Sequence, residues 1–163
     1  MKHLSLPSQL VIRQHERLTQ QSLLVVNAPD PEVADILPVV AHWQWHAGYA
    51  ERWQHQQHEV AHHFDVAPPA TTTAEAALVW LPKEKQLTLY VLDALCHLLP
   101  PGAPIWLVGE NRSGIKSIHK QFTDAVAPSQ KVAVGCHSLL ICTQVVKSTN
   151  HLDYQSYFEY CEL

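Results

Sequence analysis

Residues 58–62 carry a spacing of histidine and glutamate that could do metal chemistry. The segment His58-Glu59-Val60-Ala61-His62 is an H-E-x-x-H pattern. On a helix, residues four apart share a face, so two imidazoles could hold zinc while the glutamate polarises a water molecule. A zinc-dependent hydrolase that uses His58, Glu59 and His62 is therefore one interpretation of this chain.

Three observations weaken the metal interpretation. The extended metzincin pattern requires glycine and histidine at positions where this chain has Asp65 and Pro68. If the segment is a strand, His58 and His62 lie about 13 Å apart, at about 3.3 Å per residue, and cannot share a metal ion. Twelve histidines in 163 residues also favour a chance match to so short a motif. We expect no metal site and keep the zinc hydrolase as the alternative.

Residues 109–117 (GENRSGIKS) come close to a phosphate-binding loop, between a buried strand and a predicted helix. They are one residue longer than the G-x-x-x-x-G-K-[ST] pattern. The extra residue, Ile115, rotates Lys116 by about 100° around the helix and away from the loop. We expect no nucleotide site. An anion at this helix N-terminus, held by free backbone N–H groups with Arg112 and Lys116, remains a possibility.

Histidine and tryptophan are concentrated between His42 and His63. Aromatic and basic side chains in alternation can stack on and contact single-stranded RNA. Trp43 and Trp45, however, alternate as core residues of a strand do. We therefore expect a core role and keep RNA stacking as a minor hypothesis.

The elements that must position these residues follow from hydrophobic patterning. Short apolar runs predict strands at 22–26, 77–81, 105–108, 131–136 and 138–146, and apolar stripes predict helices at 3–20, 84–99 and from 115 to 126. A short helix is predicted from Pro31 to Leu37, and residues 40–66 are ambiguous. Strands that alternate with helices predict an α/β fold: a mostly parallel sheet with helices on both faces and a C-terminal antiparallel hairpin.

Composition bounds the class of protein. At 163 residues and 47% hydrophobic, the chain fits one domain spanning residues 1–163, and only five glycines argue against a glycine-rich cofactor loop. The net charge of −4 excludes a broad nucleic-acid footprint, so any RNA contact must use a local patch. The four cysteines form no C-x-x-C pair, and neither a signal peptide nor a membrane span is recognisable. We expect a cytoplasmic protein with free thiols and no membrane partner.

Two segments in order carry a family resemblance. WLPKEK at residues 80–85 precedes a leucine-rich helix, and VGENRSG at residues 108–114 follows a strand. This order and spacing resemble the N-terminal domain of the ribosomal RNA small subunit methyltransferase C family. The resemblance is good over about forty residues, 78–117, and does not extend to residues 40–75.

The resemblance implies an enzyme of two similar halves with a methyltransferase-like, Rossmann-like fold. The C-terminal half binds S-adenosylmethionine and methylates the N2 amino group of a guanine in small-subunit rRNA. The N-terminal half is a degenerate copy that stabilises its partner and helps to hold RNA. On this view the chain ends at Leu163 where the family continues, so we expect a truncated or free-standing half.

The chain's own residues agree with a non-catalytic half. The turn after the first strand, residues 27–31 (NAPDP), lacks the glycine that lets backbone approach a cofactor. The family's Asn-Pro-Pro-aromatic motif is missing, and the comparable tripeptide is Ala67-Pro68-Pro69. We therefore expect no catalytic residue and no cofactor in this chain, with S-adenosylmethionine bound only in the full enzyme.

The expected partners are the catalytic C-terminal half and small-subunit rRNA, the latter through weak or indirect contact. The candidate RNA- and phosphate-binding residues are Lys83, Lys85, Asn111, Arg112 and Lys116. In isolation the domain could form a homodimer through the face meant for the missing half. A protein-interaction module of that kind is the third interpretation, beside the zinc hydrolase.

Overall fold

The computed structural model describes residues 3–149 and shows a seven-stranded sheet in the order β3-β2-β1-β4-β5-β7-β6. The strands are β1 (Leu23–Val26), β2 (Val39–Gln44), β3 (Ala61–Phe64), β4 (Ala76–Trp80), β5 (Pro104–Glu110), β6 (Gln130–Gly135) and β7 (Ser138–Gln144). The first five are parallel, β7 runs antiparallel to β5, and β6 runs antiparallel to β7. The predicted mostly parallel sheet with a C-terminal hairpin is confirmed.

Among the described residues, four α-helices accompany the sheet: α1 (Leu6–Arg13), α2 (His15–Leu18), α3 (Ala47–Gln56) and α4 (Lys85–Leu98). The helix predicted over residues 3–20 is therefore two short helices that meet at Gln14, and the one predicted from Pro31 is a 3₁₀ helix, Pro31–Asp35. The ambiguous residues 40–66 form β2, α3 and β3 in succession. Within residues 3–149, no helix is long and apolar enough to span a bilayer.

The core lies on both faces of the sheet because the central strands are apolar on both sides. All five residues of β4 are buried, with Ala77 and Val79 in one cluster and Leu78 and Trp80 in the other. Residues of α4 fill the first cluster, while α1 and Trp53 of α3 contribute to the second. The predicted helical layers on both faces are confirmed.

The C-terminal hairpin turns at the predicted position. Cys136 and His137 both have positive φ, 52° and 54°, between the paired residues Gly135 and Ser138. Two consecutive residues with positive φ form the tight turn that matches the twist of paired strands.

The helix predicted after Gly114 is wrong. Residues 111–117 form successive turns, and regular structure is limited to a 3₁₀ helix, Ile118–Gln121. Ser117 N–H bonds to Gly114 O only three residues back, and the 3₁₀ helix ends before Phe122, whose backbone is extended with a ψ of 139°. The apolar stripe is nevertheless buried, with Ile115 at 1% and Ile118 at 4% exposure, so tertiary packing alone accounts for the pattern.

Candidate functional site at the carboxyl ends of the parallel strands

A cleft of about 510 Å³ opens where the sheet reverses its winding. The chain runs outward from β1 through β2 to β3 and then returns to β4 on the other side of β1. In open α/β sheets, ligands bind at the carboxyl ends of the strands that flank such a point. Asn27 follows β1, Trp45 follows β2, Trp80 ends β4 and Glu110 ends β5, and all four line the cleft.

The turn after β1 is held by hydrogen bonds of its own side chains. Asn27 adopts a φ of 61°, and its Nδ2 donates to the Trp80 carbonyl oxygen at 3.0 Å. The buried Asp30 carboxylate accepts hydrogen bonds from the backbone N–H and the hydroxyl of Ser5, at 3.0 and 2.8 Å. The following 3₁₀ helix begins at Pro31, which has no N–H. A carboxylate and a proline thus stand where a dinucleotide-binding sheet presents glycine and free N–H groups.

The polar side chain at the end of β2 also makes its hydrogen bonds within the domain. Gln44 is fully buried; its Oε1 accepts from the backbone N–H groups of Trp45 and His46, and its Nε2 donates to the Ala28 carbonyl. Dinucleotide-binding sheets place a carboxylate in this region to bind a ribose hydroxyl. Here an amide ties β2 to the turn after β1 instead.

One wall of the cleft is aromatic. Trp45 contacts Trp43 edge-to-face, with ring centroids 5.7 Å apart. His46 and Tyr49 are stacked at 4.1 Å with an angle of 25° between their planes. His46 also caps α3, since its Nδ1 accepts from Tyr49 N–H. Trp45 and His46 belong to the cluster for which a core role was expected and RNA stacking was kept as a minor hypothesis.

The predicted basic residues lie in the segments that follow two neighbouring strands. Lys83 lies in the loop after β4 and Lys85 begins α4, whereas Arg112 and Lys116 lie in the turns after β5. Because β4 and β5 are paired in parallel, both segments lie at the same sheet edge. All four side chains are exposed, and Lys83 lines the cleft. The structure thus brings them to one edge of the sheet.

The residues after β5 differ in their surroundings. Arg112 is 88% exposed and lies 3.6 Å from the Glu110 carboxylate. Asn111 donates its N–H to the His137 carbonyl, and its Oδ1 is buried without a hydrogen-bond partner among residues 3–149. Because residues 111–117 form turns and are followed by a 3₁₀ helix, the α-helix N-terminus on which the anion site was predicted does not form there.

The H-E-x-x-H segment does not form a metal-binding helix. His58 and Glu59 are exposed in a turn after α3, whereas His62 lies in β3. His62 Nε2 is 2.7 Å from the Gln57 carbonyl, and no group of three or more potential metal ligands occurs in residues 3–149. The zinc-hydrolase alternative, with His58 and His62 as ligands, is therefore not supported.

His42 is a buried partner of this segment that the sequence analysis did not single out. Its ring stacks on Trp53 at 4.0 Å, and its Nδ1 lies 3.3 Å from Nδ1 of His62. Burial, with a smaller contribution from His62, lowers the pKa of His42 to about 3. The only sequence signal for this position was the alternation of histidine and tryptophan along β2.

The strand order and the cleft define the class of protein. A 16S rRNA N2 methyltransferase of Thermus thermophilus, solved with AdoMet and guanosine, matches 86% of this chain and 40% of its own with a TM-score of 0.63 and 11% identity. An RNA methyltransferase from Salinibacter ruber, solved with S-adenosyl-L-homocysteine, matches 90% of this chain and 96% of its own with a TM-score of 0.58 and 11% identity. The chain has the α/β Rossmann-like fold of methyltransferases.

Residues 8–160 match the family model described as methyltransferase small domain N-terminal, and the chain belongs to this family. It is 34% identical over 143 residues to the ribosomal RNA small subunit methyltransferase C of Idiomarina loihiensis, across 85% of this chain and 42% of the relative. It is 35% identical over 156 residues to that of Pseudomonas fluorescens, across 96% and 46%. The chain spans less than half the length of these curated relatives, and the family resemblance is confirmed.

Proposed function

We propose that this chain is the non-catalytic N-terminal domain of an S-adenosylmethionine-dependent methyltransferase that modifies guanine N2 in small-subunit rRNA. In this proposal the domain supports a catalytic C-terminal half and contacts RNA with its own surface. The relatives' shared name and the share of their length that the chain spans support the division into two halves. Free Cys96, Cys136 and Cys142 agree with a cytoplasmic enzyme.

The observation that carries the proposal is the state of the cleft at the sheet reversal. S-adenosylmethionine contains an adenosine and no phosphate, so its site needs a turn after β1 that lets backbone approach the ligand and a carboxylate near the end of β2 for the ribose hydroxyls. The Asp30 carboxylate and Pro31 occupy the first place, and the internally bonded Gln44 amide occupies the second. The residues present do not fit the cofactor, and the chemistry of methyl transfer therefore belongs to the other half.

RNA contact is assigned to the exposed cations at the same sheet edge. The net charge of −4 requires that attraction to phosphate be local. Arg112 pairs with Glu110 at 3.6 Å while 88% exposed, and such a pair contributes little to stability. Arg112 is thus free to exchange a weak surface ion pair for a phosphate, with Lys83, Lys85 and Lys116 beside it.

Salt-dependent RNA binding tests this contact. Binding of a fluorescein-labelled 20-nucleotide single-stranded RNA is measured by anisotropy between about 50 and 300 mM NaCl, with wild type and Arg112→Gln/Lys116→Gln. Each lost phosphate contact lowers the slope of log K against log salt by about 0.7, so the double variant should lose about 1.4.

The matched control is Arg17→Gln/Lys131→Gln, which removes two exposed charges from α2 and β6. It should keep the wild-type slope. An unchanged slope in the Arg112/Lys116 variant removes both residues from the RNA surface.

A further inference from the structure

The cleft beside Asn27 has the size of a binding site, and its lining is mixed. Its volume of about 510 Å³ lies within the range of small-molecule sites, and its walls combine aromatic rings with charged and polar side chains. Aromatic rings line it at Trp45, His46 and Tyr49, and Leu81 and Leu87 add aliphatic surface. A planar aromatic ligand is the class that such walls hold best.

The polar residues of the cleft narrow the ligand further. Glu84 and Glu110 line it with carboxylates, which accept hydrogen bonds and repel phosphate. Lys83 also lines the cleft and is exposed. The arrangement suits a flat ring with N–H donors inside and a negatively charged group outside, near Lys83.

We propose that the cleft receives one unpaired nucleobase of single-stranded RNA. The base stacks against the rings of Trp45 and the His46–Tyr49 pair, its amino group donates to Glu84 or Glu110, and the adjoining phosphate meets Lys83. This inference rests on the proposed function, since it names the part of the RNA that the domain holds. RNA-binding proteins commonly stack unpaired bases on aromatic side chains.

The charged groups inside and outside the cleft favour RNA over a free nucleotide as its ligand. The turn that would hold a phosphate within the cleft carries the Asp30 carboxylate and Pro31, and the buried Gln44 oxygen already accepts from two backbone N–H groups. An RNA chain needs none of these groups, because exposed cations outside the cleft hold its backbone. Lys83 and Arg112 lie on the two neighbouring loops there.

Two oligonucleotides of equal charge isolate the base contribution. A nine-residue RNA with one central 2-aminopurine between abasic residues is compared with the same RNA abasic throughout, using this 163-residue chain. Stacking of one base predicts about tenfold tighter binding of the 2-aminopurine RNA and quenching of its fluorescence. Because the phosphates match, both RNAs should show the same salt slope.

Variants place the base in this cleft. Tyr49→Ala, at a partly exposed position on α3, and Trp45→Leu should each reduce the tenfold preference to about twofold or less. The control is Trp106→Leu, a partly exposed tryptophan that lines a different cavity with Pro104 and Gln144. It should retain the full preference.

The outcomes separate the two proposals. If both RNAs bind equally with a normal salt slope, the base site is overturned and the RNA-contacting function stands. If neither RNA binds, the proposed function fails and the base site fails with it. Displacement of the 2-aminopurine RNA by 1 mM S-adenosylmethionine would overturn the base site by assigning the cleft to a free nucleoside ligand.

Discussion

At the scale of single residues, the hydrogen bonds of His42 and His62 fix which nitrogen of each ring carries its proton. His62 Nε2 must donate to the Gln57 carbonyl at 2.7 Å, so in the neutral ring its Nδ1 is an acceptor. His42 Nδ1 then donates to it at 3.3 Å, and the buried Nε2 of His42 carries a lone pair without a partner among residues 3–149. His42 is a neutral core residue that joins β2 to β3.

Burial of neutral His42 predicts loss of stability in acid. Its folded pKa of about 3 lies below the value near 6.5 of an unfolded histidine, so the unfolded chain binds an additional proton between these pH values. The stabilising contribution of neutral His42 is complete above about pH 6.5 and is lost progressively as the pH falls toward 3. By pH 5 the loss of unfolding free energy is about 2 kcal/mol. In urea unfolding, His42→Phe should reduce the difference in unfolding free energy between pH 7.5 and 5.0 by about this amount.

An exposed histidine on the neighbouring helix supplies the comparison. His55 lies on the surface of α3, and His55→Gln should leave the difference between pH 7.5 and 5.0 unchanged. Equal acid sensitivity in wild type and His42→Phe would show that His42 is not the group responsible.

At the scale of elements, the end of β5 depends on the absence of a side chain at Gly109. A Cβ there would lie 2.7 Å from Ser113 Oγ, 3.2 Å from Leu81 Cβ and 3.3 Å from Ile115 Cβ. Gly109→Ala should therefore lower the unfolding free energy by about 1–3 kcal/mol through overpacking. Chemical denaturation of single and double variants measures this, and Ser113→Ala should relieve part of the cost because it removes the closest atom.

Gly102→Ala distinguishes overpacking from backbone strain. Gly102 has a φ of 90° and no atom within 4 Å of an added Cβ, so its substitution should cost about 1 kcal/mol from conformation alone. Ser113→Ala should not change that cost. If the losses of unfolding free energy in Gly109→Ala and Ser113→Ala simply add in the double variant, the approach of Ser113 Oγ to position 109 does not limit packing there.

The elements that were predicted from the sequence are those with an unambiguous local pattern. Residues 76–80 are a continuous apolar run between polar segments, and α4 shows a helical stripe that ends at two prolines. The helix predicted after Gly114 was wrong because Ile115 and Ile118 are spaced like a helical stripe, although residues 111–117 form turns and the backbone is extended at Phe122. Burial periodicity reports which side chains face the core but does not distinguish a helix from successive turns.

The cleft could be predicted from sequence only in part. The missing glycine after β1 was visible, and the loops with Lys83 and Arg112 followed from predicted neighbouring strands. The contacts of Asn27 with the Trp80 carbonyl and of Ser5 with Asp30 join residues 53 and 25 positions apart. Such pairs depend on the order of strands in the sheet, which no local pattern specifies. The aromatic wall likewise could not be predicted from a local pattern, because Trp45 and Tyr49 are brought together by the positions of β2 and α3 in the fold.

At the scale of the whole molecule, this domain has the Rossmann-like fold of methyltransferases, and the turn after its first strand contains no glycine. The chain matches 46% of the length of its Pseudomonas fluorescens relative, so more than half of that relative lies outside the match. If the proposed division of labour holds, cofactor affinity resides entirely in the unmatched part. The full-length relative should then bind one equivalent of S-adenosylmethionine per polypeptide, and this 163-residue chain should bind none.

Isothermal titration of both proteins with S-adenosylmethionine measures this stoichiometry. The cleft departs from a cofactor site in two independent ways: the turn after β1 holds Asp30 and Pro31 where glycine would let backbone approach the ligand, and the buried Gln44 amide leaves the end of β2 without a free acceptor for ribose hydroxyls. Asp30→Gly places a glycine in that turn and should still yield no saturable binding, because Gln44 and Pro31 remain. A second equivalent bound by the relative, or micromolar binding by this chain, would mean that the cleft accommodates the cofactor without the glycine turn and would contradict the non-catalytic role.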